Sequence, residues 1–275
     1  MKIHIVGITD IGNNREQNED AFSICPNLSQ PNWGQCESYV ETNALGSLLI
    51  VADGMGGANA GDVASNCAIK TLQEQFTTLN VCSAIQNEKQ IVQLLTQGFV
   101  LAHEAINDLM VNRPETAGMG TTIVTCWLFK DKAYIAWCGD SRCYVYNNNY
   151  GLKVLTKDHS LVQEMIDKGD ITEEEALHHP DNNIITRGLG DFDSPPISDV
   201  VVQPIKPNDI ILLCTDGLCG YCNNQTIEKT IENNRKDLHH CCNALLDIAL
   251  KHGSEDNITI VLASLSEQRR KFSIF

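Results

Sequence analysis

Apolar residues open the chain in short blocks, Ile3 to Ile8, Ala21 to Ile24 and Leu45 to Ala52, each closed by Gly, Asn or Asp. Blocks of this length between turn formers predict strands. The period then changes. After Asp62, which suits a helix N-cap, Ala64, Ala68, Leu72 and Phe76 recur at every fourth position, and Ile91, Leu95, Phe99, Ala102, Ile106 and Leu109 recur at three and four. These spacings place each set on one helix face, and the two helices are expected to pack as an antiparallel pair. Strand-like runs return at Thr121 to Phe129, Ala133 to Trp137 and Cys143 to Tyr146, with turns at Lys130-Asp131-Lys132 and Asn147-Asn148-Asn149, and read as a meander.

The stretch from Asp158 to Gly190 is polar, with short helix signals at Leu161 to Lys168 and Glu173 to His178, and reads as an insertion between strands, a flap. Strands follow at Ile197 to Val202, Ile210 to Cys214 and Ile258 to Leu262, with a helical period through Leu238, Cys241, Cys242, Leu245 and Ala249. Strand runs punctuated by helix pairs predict an α+β fold, with sheets packed together and helices outside. At 275 residues and 43% hydrophobic content, one domain over residues 1–266 is expected, with a frayed tail at 267–275.

Charge narrows the partners. Twenty Lys and Arg against 35 Asp and Glu give −15, which argues against nucleic acid. Met1 to Gly7 lacks the features of a signal peptide and no apolar run reaches a membrane span, so a cytoplasmic protein without membrane insertion is expected, and a monomer. The 12 cysteines then read as reduced and mostly buried. Cys219 and Cys222 form a C-x-x-C with His239-His240-Cys241-Cys242 downstream, a zinc or redox pattern. The apolar helix face that carries Cys241 and Cys242 favours burial instead. His159, His178 and His179 read as structural hydrogen-bonding residues.

The aspartates carry the chemistry. Asp53 ends the run Leu48 to Ala52, Asp216 follows Ile210 to Thr215, Asp256-Asn257 precedes Ile258 to Leu262, and Asp140 follows Tyr134 to Gly139. Asp-Gly is also a hairpin turn signal, but after Asp53-Gly54 the chain runs Met55-Gly56-Gly57 into a helix rather than a returning strand. Converging strand ends would gather several negative charges, which is unfavourable unless cations neutralise them. All-oxygen donors select Mg²⁺, Mn²⁺ or Ca²⁺ over Zn²⁺. Arg15 lies beside Glu19 and Asp20 before a strand, and a guanidinium holds phosphate oxygens with paired hydrogen bonds.

These segments, in this order, resemble the PPM family of protein phosphatases, the protein phosphatase 2C-like enzymes. The matching stretches are Gly12 to Phe22, Val51 to Gly57, Gly118 to Thr122, Gly139 to Arg142, Leu155 to Leu161, Ile185 to Gly190, Leu213 to Leu218 and Asp256 to Leu262. The resemblance implies a β-sandwich of two antiparallel sheets flanked by helix pairs, with two Mg²⁺ or Mn²⁺ ions at one end. It implies that Asp53 bridges both ions, that the Gly54 carbonyl binds one, and that Asp216 and Asp256 complete the other. Glu19 and Asp20 match acidic positions that touch metal-bound waters, Arg15 the phosphate-binding arginine, and Asn257 and Thr121 supporting polar positions. The implied reaction is hydrolysis of phosphoserine or phosphothreonine in targets of a Ser/Thr kinase, by a water shared between the ions.

Two positions depart from the wider family. Met55 stands where many eukaryotic members place a proton-donating His, which makes the chain similar to bacterial members. Gly220 stands where relatives often have Asp or Asn, leaving Asp140 and Asp216 as the main ligands of a possible third metal. A catalytically silent regulatory member and a small-molecule phosphatase on the same scaffold remain alternatives to the protein phosphatase.

Overall fold

A computed structural model describes residues 1–41, 43–56, 60–176, 179–192 and 196–267. Gly57, His178 and the tail from 268 onward, all part of the expectations above, lie outside these residues. The first third holds β1 (Lys2–Asp10), β2 (Ala21–Cys25), β3 (Ser38–Glu41), β4 (Ser47–Ala52) and β5 (Gly54–Met55). Helices α1 (Gly61–Gln75), α2 (Thr78–Ala84) and α3 (Glu88–Asn112) follow. Next come β6 (Gly120–Thr121), β7 (Ile123–Phe129), β8 (Lys132–Cys138), β9 (Arg142–Asn147) and β10 (Gly151–Val154). The flap carries α4 (Leu161–Lys168), α5 (Glu173–Ala176) and β11 (Leu189–Gly190). The chain continues through β12 (Asp199–Pro204), β13 (Ile210–Cys214), α6 (Asp216–Cys219), α7 (Asn224–Asn234), α8 (Leu238–Lys251) and β14 (Ile258–Ser266).

Two antiparallel sheets face each other, one in the order β10-β9-β13-β14-β1-β3 and the other β12-β8-β7-β4-β2. Side-chain alternation along the strands explains the layering. In β4, Leu49 and Val51 point into the space between the sheets, while Leu48, Ile50 and Ala52 point outward to α1 and α3. In β13, Ile211 and Leu213 point inward and Ile210, Leu212 and Cys214 outward to α7 and α8. Both faces of β4 and β13 are therefore buried, which is why these segments are continuously apolar rather than alternating.

The expected helix pair forms: Leu72 of α1 packs against Gly98 of α3, where a Cβ would lie 2.5 Å from the leucine methyl. Asp62 is not the N-cap. The helix starts at Gly61 after Ala60, and Asp62 sits in its first turn, accepting the Val63 N–H at 2.8 Å. Its negative charge there still suits the helix dipole. The meander is also corrected, because β7 and β8 pair as a hairpin but β9 crosses to the other sheet and pairs with β13 and β10. Gly139, with φ of +120° and its α-carbon against Thr122, makes that sharp departure possible. The first and last strands lie side by side over their full length, from Lys2 opposite Ser266 to Asp10 opposite Ile258. No helix among the described residues is long and apolar enough to cross a membrane.

Cys214, Cys219, Cys222, Cys241 and Cys242 share the hydrophobic layer under α7 and α8. Burial pushes three of these thiols up, Cys222 to about 11 and Cys241 and Cys242 to about 12. Thiols in that condition are packing groups, not nucleophiles.

Candidate active site

The ends of β4, β8, β13 and β14 bring their aspartates to one edge of the sandwich. Asp53 is held by its backbone. Its carbonyl accepts the Thr121 hydroxyl at 2.8 Å and the Thr122 N–H at 2.9 Å, and its own N–H donates to the Thr122 hydroxyl at 3.3 Å. That hydroxyl in turn lies 2.8 Å from the Ser141 hydroxyl, next to Asp140. Thr121 thus supports Asp53 through its main chain and leaves the carboxylate free.

Gly54 packs so tightly that a Cβ would lie 2.2 Å from the Gly61 carbonyl and 2.5 Å from that of Glu19. Only glycine fits between α1 and the Glu19 segment. Glu19 is fixed from both sides, its N–H donating to Asn257 Oδ1 at 2.8 Å and its carboxylate accepting the Gly61 N–H at 3.2 Å. Asp20 accepts the Thr215 hydroxyl at 2.8 Å. Asn257 also donates to the carbonyls of Ile11 and Gln17, both at 2.9 Å, and so clamps the two ends of the loop that carries Arg15. Arg15 itself donates to Asp256 Oδ2 at 2.7 Å. The sites expected from sequence at positions 15, 19, 20, 53, 54, 121, 140, 216, 256 and 257 are therefore brought to one edge.

Electrostatics show how crowded this edge is. Burial, followed by the charges of Asp20, Asp216, Asp140 and Asp256, pushes the Asp53 carboxyl well above its ordinary value. Burial raises Asp20 to about 7 against the hydrogen bonds from Thr259 and Thr215. Burial and then Asp256 raise Asp216 to about 6, while a hydrogen bond with Asp53 opposes the shift. Asp140 is pushed up by burial first and by Asp216 and Asp158 next. Like charges in a desolvated cluster titrate upward because each ionised form repels the others.

One oxygen each of Asp20, Asp140 and Asp216 is buried without a hydrogen-bond partner. Buried carboxylate oxygens left unpaired are costly, and hard divalent cations are the groups that satisfy several at once. Among the described residues, no three His, Cys, Asp or Glu side chains close into a ready-made cage. Mg²⁺ and Mn²⁺ are held by one or two carboxylates and complete their shells with other oxygens and water. The donor set fits such ions.

Several contributors were not evident from sequence. Arg142 makes a bidentate pair with Asp158 at 2.6 to 3.1 Å, tying the turn after Asp140 to the entry of the flap. His159, by contrast, fills the structural hydrogen-bonding role expected of it, accepting the Gly139 N–H at 3.1 Å through Nδ1 and facing Asp199 at 3.1 Å through Nε2, with its ring stacked on Trp137. Thr215 was legible only as the residue before Asp216, without any sign that it reaches Asp20 from 195 positions away. At Gly220 a Cβ would lie 2.8 Å from the Asp216 carbonyl, so a carboxylate there would require the backbone to shift.

The model for the family described as Protein phosphatase 2C matches residues 5–165 and 181–258. The serine/threonine phosphatase stp of Listeria welshimeri is 36% identical over 259 residues, covering 92% of each chain. Among solved structures, the serine/threonine phosphatase Stp1 from Staphylococcus aureus superposes with a TM-score of 0.81 at 32% identity, over 96% of this chain and 95% of that one. The catalytic domain of the serine/threonine protein phosphatase PstP, solved in complex with two manganese ions, gives a TM-score of 0.75 at 26% identity, over 97% of this chain and 100% of that one. With the sandwich, the carboxylate edge and these likenesses in agreement, the chain belongs to the protein phosphatase 2C family, in its bacterial PPM form.

Proposed function

We propose that this enzyme hydrolyses phosphoserine and phosphothreonine in proteins phosphorylated by a Ser/Thr kinase, using two Mg²⁺ or Mn²⁺ ions. The observation that carries the reading is the set of buried, unpaired carboxylate oxygens at converging strand ends. Asp53 would contact both ions, the Gly54 carbonyl one of them, and Asp216 and Asp256 the other. Such ions, when bound, would supply the Lewis acidity that activates water for direct attack on phosphorus, with no phosphoenzyme expected. Glu19 and Asp20 would orient waters beside those ligands. Thr121 and Asn257 hold Asp53 and the Arg15 loop in place. Met55 has no proton to give, so the leaving oxygen takes its proton from water or from another group.

Arg15 would bind the phosphate. Its guanidinium is half exposed beside Asp256, at the rim of the cluster, where it can turn toward an incoming anion. Arg15→Ala is expected to raise KM for a phosphothreonine peptide on the order of 10- to 100-fold, the worth of a charged hydrogen-bonding pair. Metal affinity should stay similar. Calorimetric Mn²⁺ titration beside steady-state kinetics checks both, and lost metal binding with unchanged KM would contradict the assignment.

Asp140 would hold a weaker third ion. Asp140→Ala should leave the two core ions bound yet lower kcat about tenfold, as an oriented water is lost. Because the side chain is buried with an unpaired oxygen, its removal should not lower the melting temperature. A turn-capping role gives the opposite pattern, with stability lost and kcat unchanged across a Mn²⁺ titration. The direct test of the whole reading is Mn²⁺-dependent release of phosphate from a phosphothreonine peptide, compared with sugar phosphates and nucleotides at equal concentration. A preference for the small molecules would move the substrate assignment away from proteins.

A further inference from the structure

The flap returns to the body through β11, and β11 shares β6 with β5. Thr121 lies opposite Gly54 on one side and Leu189 on the other, and Gly120 opposite Met55 and Gly190. The flap exit is thus one short strand away from the carbonyl assigned to an ion. Asp191 donates its N–H to the Met119 carbonyl at 3.0 Å. Gly190 turns its N–H the other way, to Nδ1 of His103 on α3, at 3.2 Å.

With Nδ1 accepting, the ring proton sits on Nε2, and the Asn107 side-chain amide 2.8 Å away, one helical turn along, accepts it when its oxygen rather than its nitrogen faces the ring. Burial holds the imidazole below its ordinary pKa, in the neutral form that an acceptor must have. Gly190 has a φ of +99°, and a Cβ there would lie 2.6 Å from the Met119 carbonyl and 2.8 Å from the Ile106 side chain. The strand end therefore has no side chain of its own to anchor it, and the helix supplies the anchor.

We propose that His103 is a positioning residue: by accepting the Gly190 N–H it fixes the exit of the flap, and through β6 it fixes the β5 residues that present the Gly54 carbonyl. The assignment of Gly54 to an ion is the part of this inference that rests on the proposed function. The tie between α3, β11 and β5 stands on geometry alone.

Amide hydrogen exchange on the metal-free protein and calorimetric Mn²⁺ titration test it, in wild type, His103→Leu and His103→Asn. Asparagine places Oδ1 three bonds from Cα, where Nδ1 stands, and leucine places a methyl there. His103→Leu is expected to speed exchange at Gly190, Thr121 and Gly54 on the order of tenfold, by opening this unit locally. It should also weaken Mn²⁺ binding on the order of three- to tenfold, the size of an ordinary coupling between sites. His103→Asn should restore both. Unchanged exchange in His103→Leu would overturn the proposal, as would faster exchange confined to Gly190. So would uniformly faster exchange across the protein that asparagine fails to reverse. If wild type binds no Mn²⁺, the metal reading falls, while exchange at Thr121 and Gly54 still decides the tie.

Discussion

Asp53→Ala should lower kcat on a phosphothreonine peptide by on the order of 10³-fold or more, because one carboxylate is assigned to both ions and metal activation supplies several kcal/mol. The loss should not come from unfolding. Asp53 is pushed well above its ordinary pKa by burial and by four neighbouring aspartates, so removing it relieves repulsion in the metal-free protein. Its melting temperature without metal should hold or rise, while the increase produced by Mn²⁺ shrinks. The backbone bonds from Thr121 and Thr122 survive the substitution, since they end on the Asp53 carbonyl. Near-normal kcat in this variant would reject the bridging role.

Removing the metal from wild type should have an effect of similar size: chelation abolishes turnover, and Mn²⁺ or Mg²⁺ restores it. Full activity in a verified metal-free preparation would sink the mechanism. A pH dependence follows from the same cluster. Asp20 rises from 3.8 to about 7 and Asp216 from 3.8 to about 6. Between the unfolded and folded values the folded protein keeps protons that the unfolded chain releases, so stability falls as pH rises through roughly 4 to 7. Above that window the full repulsion is present. The metal-free protein should therefore melt at a higher temperature near pH 5 than near pH 7.5, and Mn²⁺ should raise the melting temperature more at the higher pH. Thermal scans at the two pH values, with and without Mn²⁺, check the sign. A metal-free protein that is more stable at pH 7.5 would show that these carboxylates are already compensated.

The central strands were legible because burial on both faces removes alternation and leaves continuous apolar runs, as in Leu48 to Ala52 and Ile210 to Cys214. Elements at the margins were not. β3 reads Ser-Tyr-Val-Glu and among the described residues pairs with β1 alone, and α7 buries only Ile227, Thr230 and Ile231 along an otherwise polar helix. Neither has enough apolar surface to leave a period. The crossing of β9 to the second sheet depends on a glycine conformation, which composition does not reveal. At the candidate site the aspartates were visible because each ends an apolar run. Their supports were hidden by separation, since Asn257 reaches Glu19 across 238 positions and His103 reaches Gly190 across 87.

The pairing of the first strand with the last also orders events during synthesis. Arg15, Glu19 and Asp20 are made early, but Asp256, Asn257 and the strand that aligns them come some 240 residues later. Chains are made from the N-terminus, and long-range sheet pairing closes late. A nascent chain still lacking β14 has neither a partner for β1 nor the asparagine that clamps the Arg15 loop. A growing polypeptide that still lacks β14 therefore cannot hold Arg15 against Asp256, however complete its other strands are.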